Sequence, residues 1–113
     1  MTPPARFLAI ADRLRLLTAG SVVADQYIHE TLGQDGAAPP YTSDEAAARA
    51  LVPEGFEADW PTTIGGAVYA AVWRKGLLDG LPHPHHGAWG TTRALALCGA
   101  VMRAYASLAK PAP

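Results

Sequence analysis

The sequence predicts an α+β domain, a small antiparallel sheet packed against helices, with an N-terminal helical hairpin. Three observations predict it. Apolar residues near the N-terminus recur at steps of three and four, the middle carries one alternating and one β-branched, aromatic segment around a turn, and the last stretch is apolar around most of a helical circumference. At 113 residues the chain suits one hydrophobic core. We therefore read residues 1–113 as one domain: a helical hairpin over 1–33, a linker over 34–40, and a layered core over 41–109.

From Phe7 to Leu17, the residues Phe7, Ile10, Leu14 and Leu17 form an apolar stripe, with Asp12, Arg13 and Arg15 off it and Gly20 ending the helix. Ser21 is placed to cap a second helix, in which Ala24, Ile28 and Leu32 form a row and Gly33 supplies the stop. Residues 34–40 have no periodic apolar face and end in two prolines, which predicts a linker. Thr42-Ser43-Asp44-Glu45 fits a capping box before a short Ala-rich helix that Pro53 terminates. Phe56, Ala58 and Trp60 alternate with Glu57 and Asp59, predicting a strand over 56–60. Its antiparallel partner is 67–73, with Pro61 to Gly66 turning the chain. A third strand within Gly76 to Trp89 is left open. Thr91 or Thr92 caps a final helix running to about Ala109, where Lys110 suits the dipole and Pro111 stops it. Leu95, Leu97, Cys98, Val101, Met102, Tyr105 and Leu108 cover most of that helix, so it should be buried against the sheet.

Composition narrows the function classes. Nine Lys plus Arg against ten Asp plus Glu give a net charge of -1, which supplies no field for a nucleic-acid partner. One cysteine, Cys98, excludes an intramolecular disulfide. The N-terminus has no basic stretch leading into an apolar run, and Ala94 to Cys98 falls far short of the roughly 20 residues that cross a bilayer. A cytoplasmic location without membrane contact is the expectation.

The segments Pro40-Tyr41-Thr42, Asp44-Glu45-Ala46-Ala47, Leu51-Val52-Pro53-Glu54-Gly55, Thr92-Arg93-Ala94-Leu95-Ala96-Leu97-Cys98 and Met102-Arg103-Ala104 follow one another in an order that resembles the phage ABA sandwich domain family. The resemblance covers roughly Pro40 to Leu108, and Glu30-Thr31-Leu32-Gly33 is similar to what precedes the domain in relatives from high-GC bacteria. The family usually has Thr-Pro before the Ala-Leu run, whereas Arg93 follows Thr92 here. The resemblance implies a small layered α and β fold and a phage or prophage origin. It implies no catalytic activity or site.

Residue by residue, the chemistry is sparse. His83, His85 and His86, with Asp79 and the distant His29, are the residue types a metal would take, but Pro82 and Pro84 make the segment extended and send His86 to the side opposite His83 and His85. A solvated loop is the commoner reading, so no metal, cofactor or catalytic residue is assigned. Cys98 lies in the second turn of an apolar helix and reads as a buried thiol. Glu57 and Asp59 fall on the outward face of a strand and read as solvated.

The informative segment is Gly87 to Arg93. It leads into a long helix whose first amides are unpaired, and Arg93 places a cation where the helix dipole favours an anion. One reading is a site in which Trp89, Thr91, Thr92 and Arg93, helped by His85, His86 and Arg74, bind a nucleotide-like ligand or an acidic partner surface. The plainer one has a threonine capping the helix, Trp89 packed on the sheet, and Arg93 paired with Asp79 or a glutamate. The expected function is a phage or prophage accessory protein that binds a host or phage protein or a small anionic ligand, as a counter-defence factor. Two alternatives stand beside it: an oligomeric virion or assembly component, and a small metal-dependent enzyme built on His83 to His86. The oligomer has a physical motive, because Tyr69 and Trp73 fall on the strand face opposite Val68 and Val72 and need a second layer of helices or a second subunit to cover them.

Overall fold

A computed structural model of the chain describes residues 2–75 and 85–109. It is an α+β fold, with helices α1 (Pro4–Leu16), α2 (Val22–Thr31), α3 (Glu45–Arg49) and α4 (Arg93–Ala109) and strands β1 (Phe56–Ala58), β2 (Thr62–Ile64), β3 (Ala67–Arg74) and β4 (His85–Gly90). Asp79 and His83 lie outside the described residues. No described helix is long and apolar enough to cross a membrane.

All four strands are antiparallel, and β3 is the centre. β4 pairs with residues 68–73 of β3, while β1 pairs with residues 72–74 and β2 with residues 67–69. A strand has two hydrogen-bonding edges, so β1 and β2 share the edge that β4 does not use. Between Ala58↔Val72 and Thr62↔Tyr69, residues 59–61 oppose only residues 70 and 71, a bulge that accommodates Pro61, which has no N–H for the ladder. Two expectations change accordingly. The first strand stops at Ala58 instead of residue 60, and half of Pro61 to Gly66, namely Thr62–Ile64, is strand, the turn being Gly65-Gly66 alone. Both glycines have positive φ, 61° and 86°, as a two-residue turn matched to the strand twist requires. The third strand left open in the sequence is β4.

Val68, Ala70 and Val72 of β3 face α4, whose residues from Ala94 to Met102 are all buried. Small residues let these layers approach: a Cβ on Gly99 would come within 2.9 Å of the Ala88 methyl, and one on Gly90 within 2.6 Å of the Ala96 amide nitrogen. On its other sides α4 meets α1 and α3. Phe7, Ile10, Ala11 and Leu14 of α1 belong to the same core, and Phe7 stacks on Tyr105 with centroids 5.6 Å apart. α1 thus docks chiefly on α4 and only lightly on α2.

Ser21 caps α2 by accepting from the Ala24 N–H, and Gly33 ends it at φ 77°. Residues 34–40 are held to α2, because the Gln26 side chain donates to the Gly36 carbonyl at 3.1 Å and accepts from the Ala38 N–H at 3.0 Å. The predicted capping box takes another form. Asp44 caps α3 by accepting from the Ala46 N–H, while Thr42 is fully buried, its hydroxyl accepting from the Ser21 N–H at 2.8 Å and donating to Asp25 at 2.7 Å. The competing partner won because Asp25, 4% exposed, needs internal donors and takes both the hydroxyl and the amide of Thr42.

Candidate functional site

The residues singled out in the sequence fall in three places. At the start of α4, the Thr92 hydroxyl accepts from the Leu95 N–H at 3.2 Å and caps the helix, while the Thr91 hydroxyl donates to the Leu17 carbonyl at 2.8 Å and ties β4 to the end of α1. Arg93 is held from two sides. Its Nε and Nη2 donate to Glu45 at 2.6 and 3.2 Å, and its Nη1 donates to the Pro61 carbonyl at 2.8 Å. The two-point bond lowers the Glu45 carboxyl below its usual 4.5 and raises the guanidinium further. A cleft of about 390 Å³ opens here, lined by Gly20, Thr42, Ser43, Glu45, Thr92 and Arg93 among others.

Trp89 points elsewhere. Gly87 to Gly90 is strand, so successive side chains alternate: Ala88 and Gly90 turn toward α4, and His85, Gly87 and Trp89 turn to the opposite face of the sheet. There Trp89, 44% exposed, packs on its cross-strand neighbour Tyr69 with ring centroids 4.9 Å apart at 57°. The Tyr69 ring lies over Gly87, where a Cβ would overlap its hydroxyl, and that hydroxyl stands 3.5 Å from His85 Nε2. Trp73 continues the same face and donates its indole N–H to Glu57 at 2.9 Å. Ile64, 54% exposed, closes the row from β2. The covering layer of helices that the sandwich resemblance implies is not found on this face among the described residues, since α4 lies on the other side of the sheet with α1 and α3 beyond it.

His86 and Arg74 belong to a third place, the inner face near β1. His86 packs on Phe56 at 6.4 Å between centroids, and the Arg74 guanidinium lies 5.1 Å from the same ring. His85 and His86 therefore diverge across the sheet, and among the described residues no three His, Cys, Asp or Glu side chains are grouped to hold a metal ion. Trp60, 69% exposed, is covered on one side by Arg49, whose guanidinium sits 4.2 Å from the ring.

The plainer sequence reading expected a glutamate for Arg93 and the sheet for Trp89, and both are found, but it did not identify Glu45 or Tyr69 as the partners that organise these places. It also missed a buried polar cluster between α2 and α4. His29 Nε2 donates to the Asp35 carbonyl at 2.9 Å, so in the neutral ring Nδ1 accepts from the Tyr41 hydroxyl at 2.8 Å. The Cys98 thiol donates to the Tyr41 carbonyl at 3.1 Å. Burial, then the nearby Asp25, pushes that thiol up to about 12, and burial raises Tyr41. The signal was present in the helical spacing of Asp25 and His29, which sets two polar side chains on the buried side of α2 beside Ile28.

Compared with known proteins, the chain matches no family model, no curated protein and no solved structure at a significant level.

Proposed function

We propose that the chain is a non-enzymatic accessory protein of phage or prophage origin that acts by binding a protein partner through the aromatic face of its sheet. The observation that carries this reading is Trp89, 44% exposed and braced by Tyr69 over Gly87, on a face that no described helix covers. Indole and phenol rings already held against each other lose little side-chain freedom on contact, which suits a binding face. A protein surface fits better than a nucleotide, because the cation that a phosphate would need beside the indole, Arg93, is engaged by Glu45 and Pro61 instead. The phage or prophage origin rests on the family resemblance, the host cytoplasm on the lack of a leader-like or membrane-spanning apolar run in the sequence, and a counter-defence role against a host effector is one form that binding by such a protein would take.

The test is co-purification from lysogenic cells of whatever the chain retains, compared with Trp89→Ala and with Val23→Ala, a control on the exposed side of α2. A partner lost with the first variant and kept with the second supports the reading, and one retained by both sinks it. A virion or assembly role would bring a second copy to the same face. Sedimentation velocity separates the two, since a dimer that Trp89→Ala dissolves favours assembly.

A further inference from the structure

β3 is paired along both sides, so among the described strands β4 lies at the edge, and no described residue bonds through its backbone to the outward-facing groups of His85–Gly90. Alternate N–H and C=O groups there form a ready template for one more strand. The usual guards are missing: this segment holds no lysine and no proline, and glycine or alanine at 87, 88 and 90 leaves the backbone unscreened. Beside the edge runs a groove of about 190 Å³ lined by Leu8 of α1, His85, His86 and Gly87 of β4, and Arg103 and Ala106 of α4.

Arg103 gives the groove its chemistry. Among the described residues its Nε is shut in without an acceptor, and its Nη2 reaches only Asp12, at 3.8 Å, an aspartate 71% exposed. That contact is an ion pair too long for a hydrogen bond, and with the Arg103 side chain 40% exposed the outer edge of the guanidinium is open to an incoming carboxylate. The groove lining adds two imidazoles and no carboxylate.

We propose that this edge and groove take an extended segment of a partner protein, added to β4 as a further strand, whose Asp or Glu side chain bonds the Arg103 guanidinium. A second copy of this chain is the poorer occupant. Its own edge, His85–Gly90, carries no carboxylate, so pairing two such edges would set imidazoles together and bring neither Arg103 a hydrogen-bonding carboxylate. The inference rests on the strand edge and Arg103, and stands apart from the aromatic face.

The probe is a fluorescein-labelled peptide of alternating threonine and valine with one central aspartate, together with its asparagine twin, titrated with the full chain by fluorescence anisotropy. The aspartate peptide should bind about tenfold tighter than its twin, and Arg103→Gln should erase that preference. In the unsubstituted protein, peptide binding should slow hydrogen exchange at alternate amides of residues 85–90. Equal affinity for the two peptides, a preference that survives Arg103→Gln, or edge amides already protected in the free protein each overturn the proposal. The last result would mean that the chain itself or a second copy holds the edge.

Discussion

The Glu45 carboxylate grips the Arg93 guanidinium at two points, Oε1 to Nε at 2.6 Å and Oε2 to Nη2 at 3.2 Å, and so ties α3 to the first turn of α4. A cation at that position opposes the helix dipole, and here the compensating anion is supplied from within the chain. Arg49, four residues after Glu45 on α3, lies 3.7 Å from the same carboxylate, so two guanidinium groups share it.

This arrangement makes part of the stability depend on acid. Because the Arg93 hydrogen bond lowers the folded-state value of Glu45 below 4.5, its contribution is complete above about that pH and is lost as the pH falls through the folded-state value. Glu45→Gln should lower the urea midpoint at neutral pH and remove this share of the acid sensitivity. The gap between the two proteins should close as the pH falls below 4.5, and a gap independent of pH would refute the assignment.

Two glycines of β4 should respond differently to alanine. At Gly90 the new methyl meets backbone of α4, 2.6 Å from the Ala96 nitrogen, which cannot yield without shifting the helix. A loss of about 1–3 kcal/mol is expected. At Gly87 it meets the end of the Tyr69 ring, which can swing aside, so Gly87→Ala should be milder and should disturb Trp89 fluorescence more than stability. Chemical denaturation and emission spectra check both.

Thr42→Val keeps shape and removes the hydroxyl that links Ser21 and Asp25. With an amide and a buried carboxylate each losing a partner, unfolding free energy should drop by roughly 1–3 kcal/mol. Thr62→Val, on the exposed β2, should change little by the same urea titration.

Cys98 should be inert in the folded protein. A thiol fully buried and raised to about 12 carries almost no thiolate at neutral pH. A colorimetric thiol reagent should therefore react at the rate of unfolding, and fully in denaturant. Fast native labelling would show that α4 is less enclosed than described.

The helices were legible because their information is local. The Phe7, Ile10 and Leu14 stripe, the Ser21 cap and the Gly33 stop need only neighbouring residues, and each is found where periodicity puts it. The sheet was legible in part. Alternation and β-branched composition mark the antiparallel strands near 56–60 and 67–73 but not their register, in which 56–58 pair with 72–74, and β2 was hidden because three residues, Thr62 to Ile64, are too few to show a period, and the bulge at Pro61 breaks the pattern before them. The candidate site was legible in its residue types and not in its partners. Nothing near Arg93 in sequence announces Glu45, 48 positions away, and Trp89 reads as part of a loop until pairing with Tyr69 makes the segment a strand.

The enclosure of α4 bears on synthesis. The apolar faces that Phe7 and Leu14 of α1 and Val68 and Val72 of β3 present to the core close on a helix that begins only at Arg93. A nascent chain that has not yet delivered this segment has sticky surfaces and nothing to bury them against, so productive folding waits for α4 to leave the ribosome. Fragments ending before Arg93 should be chaperone substrates or aggregates.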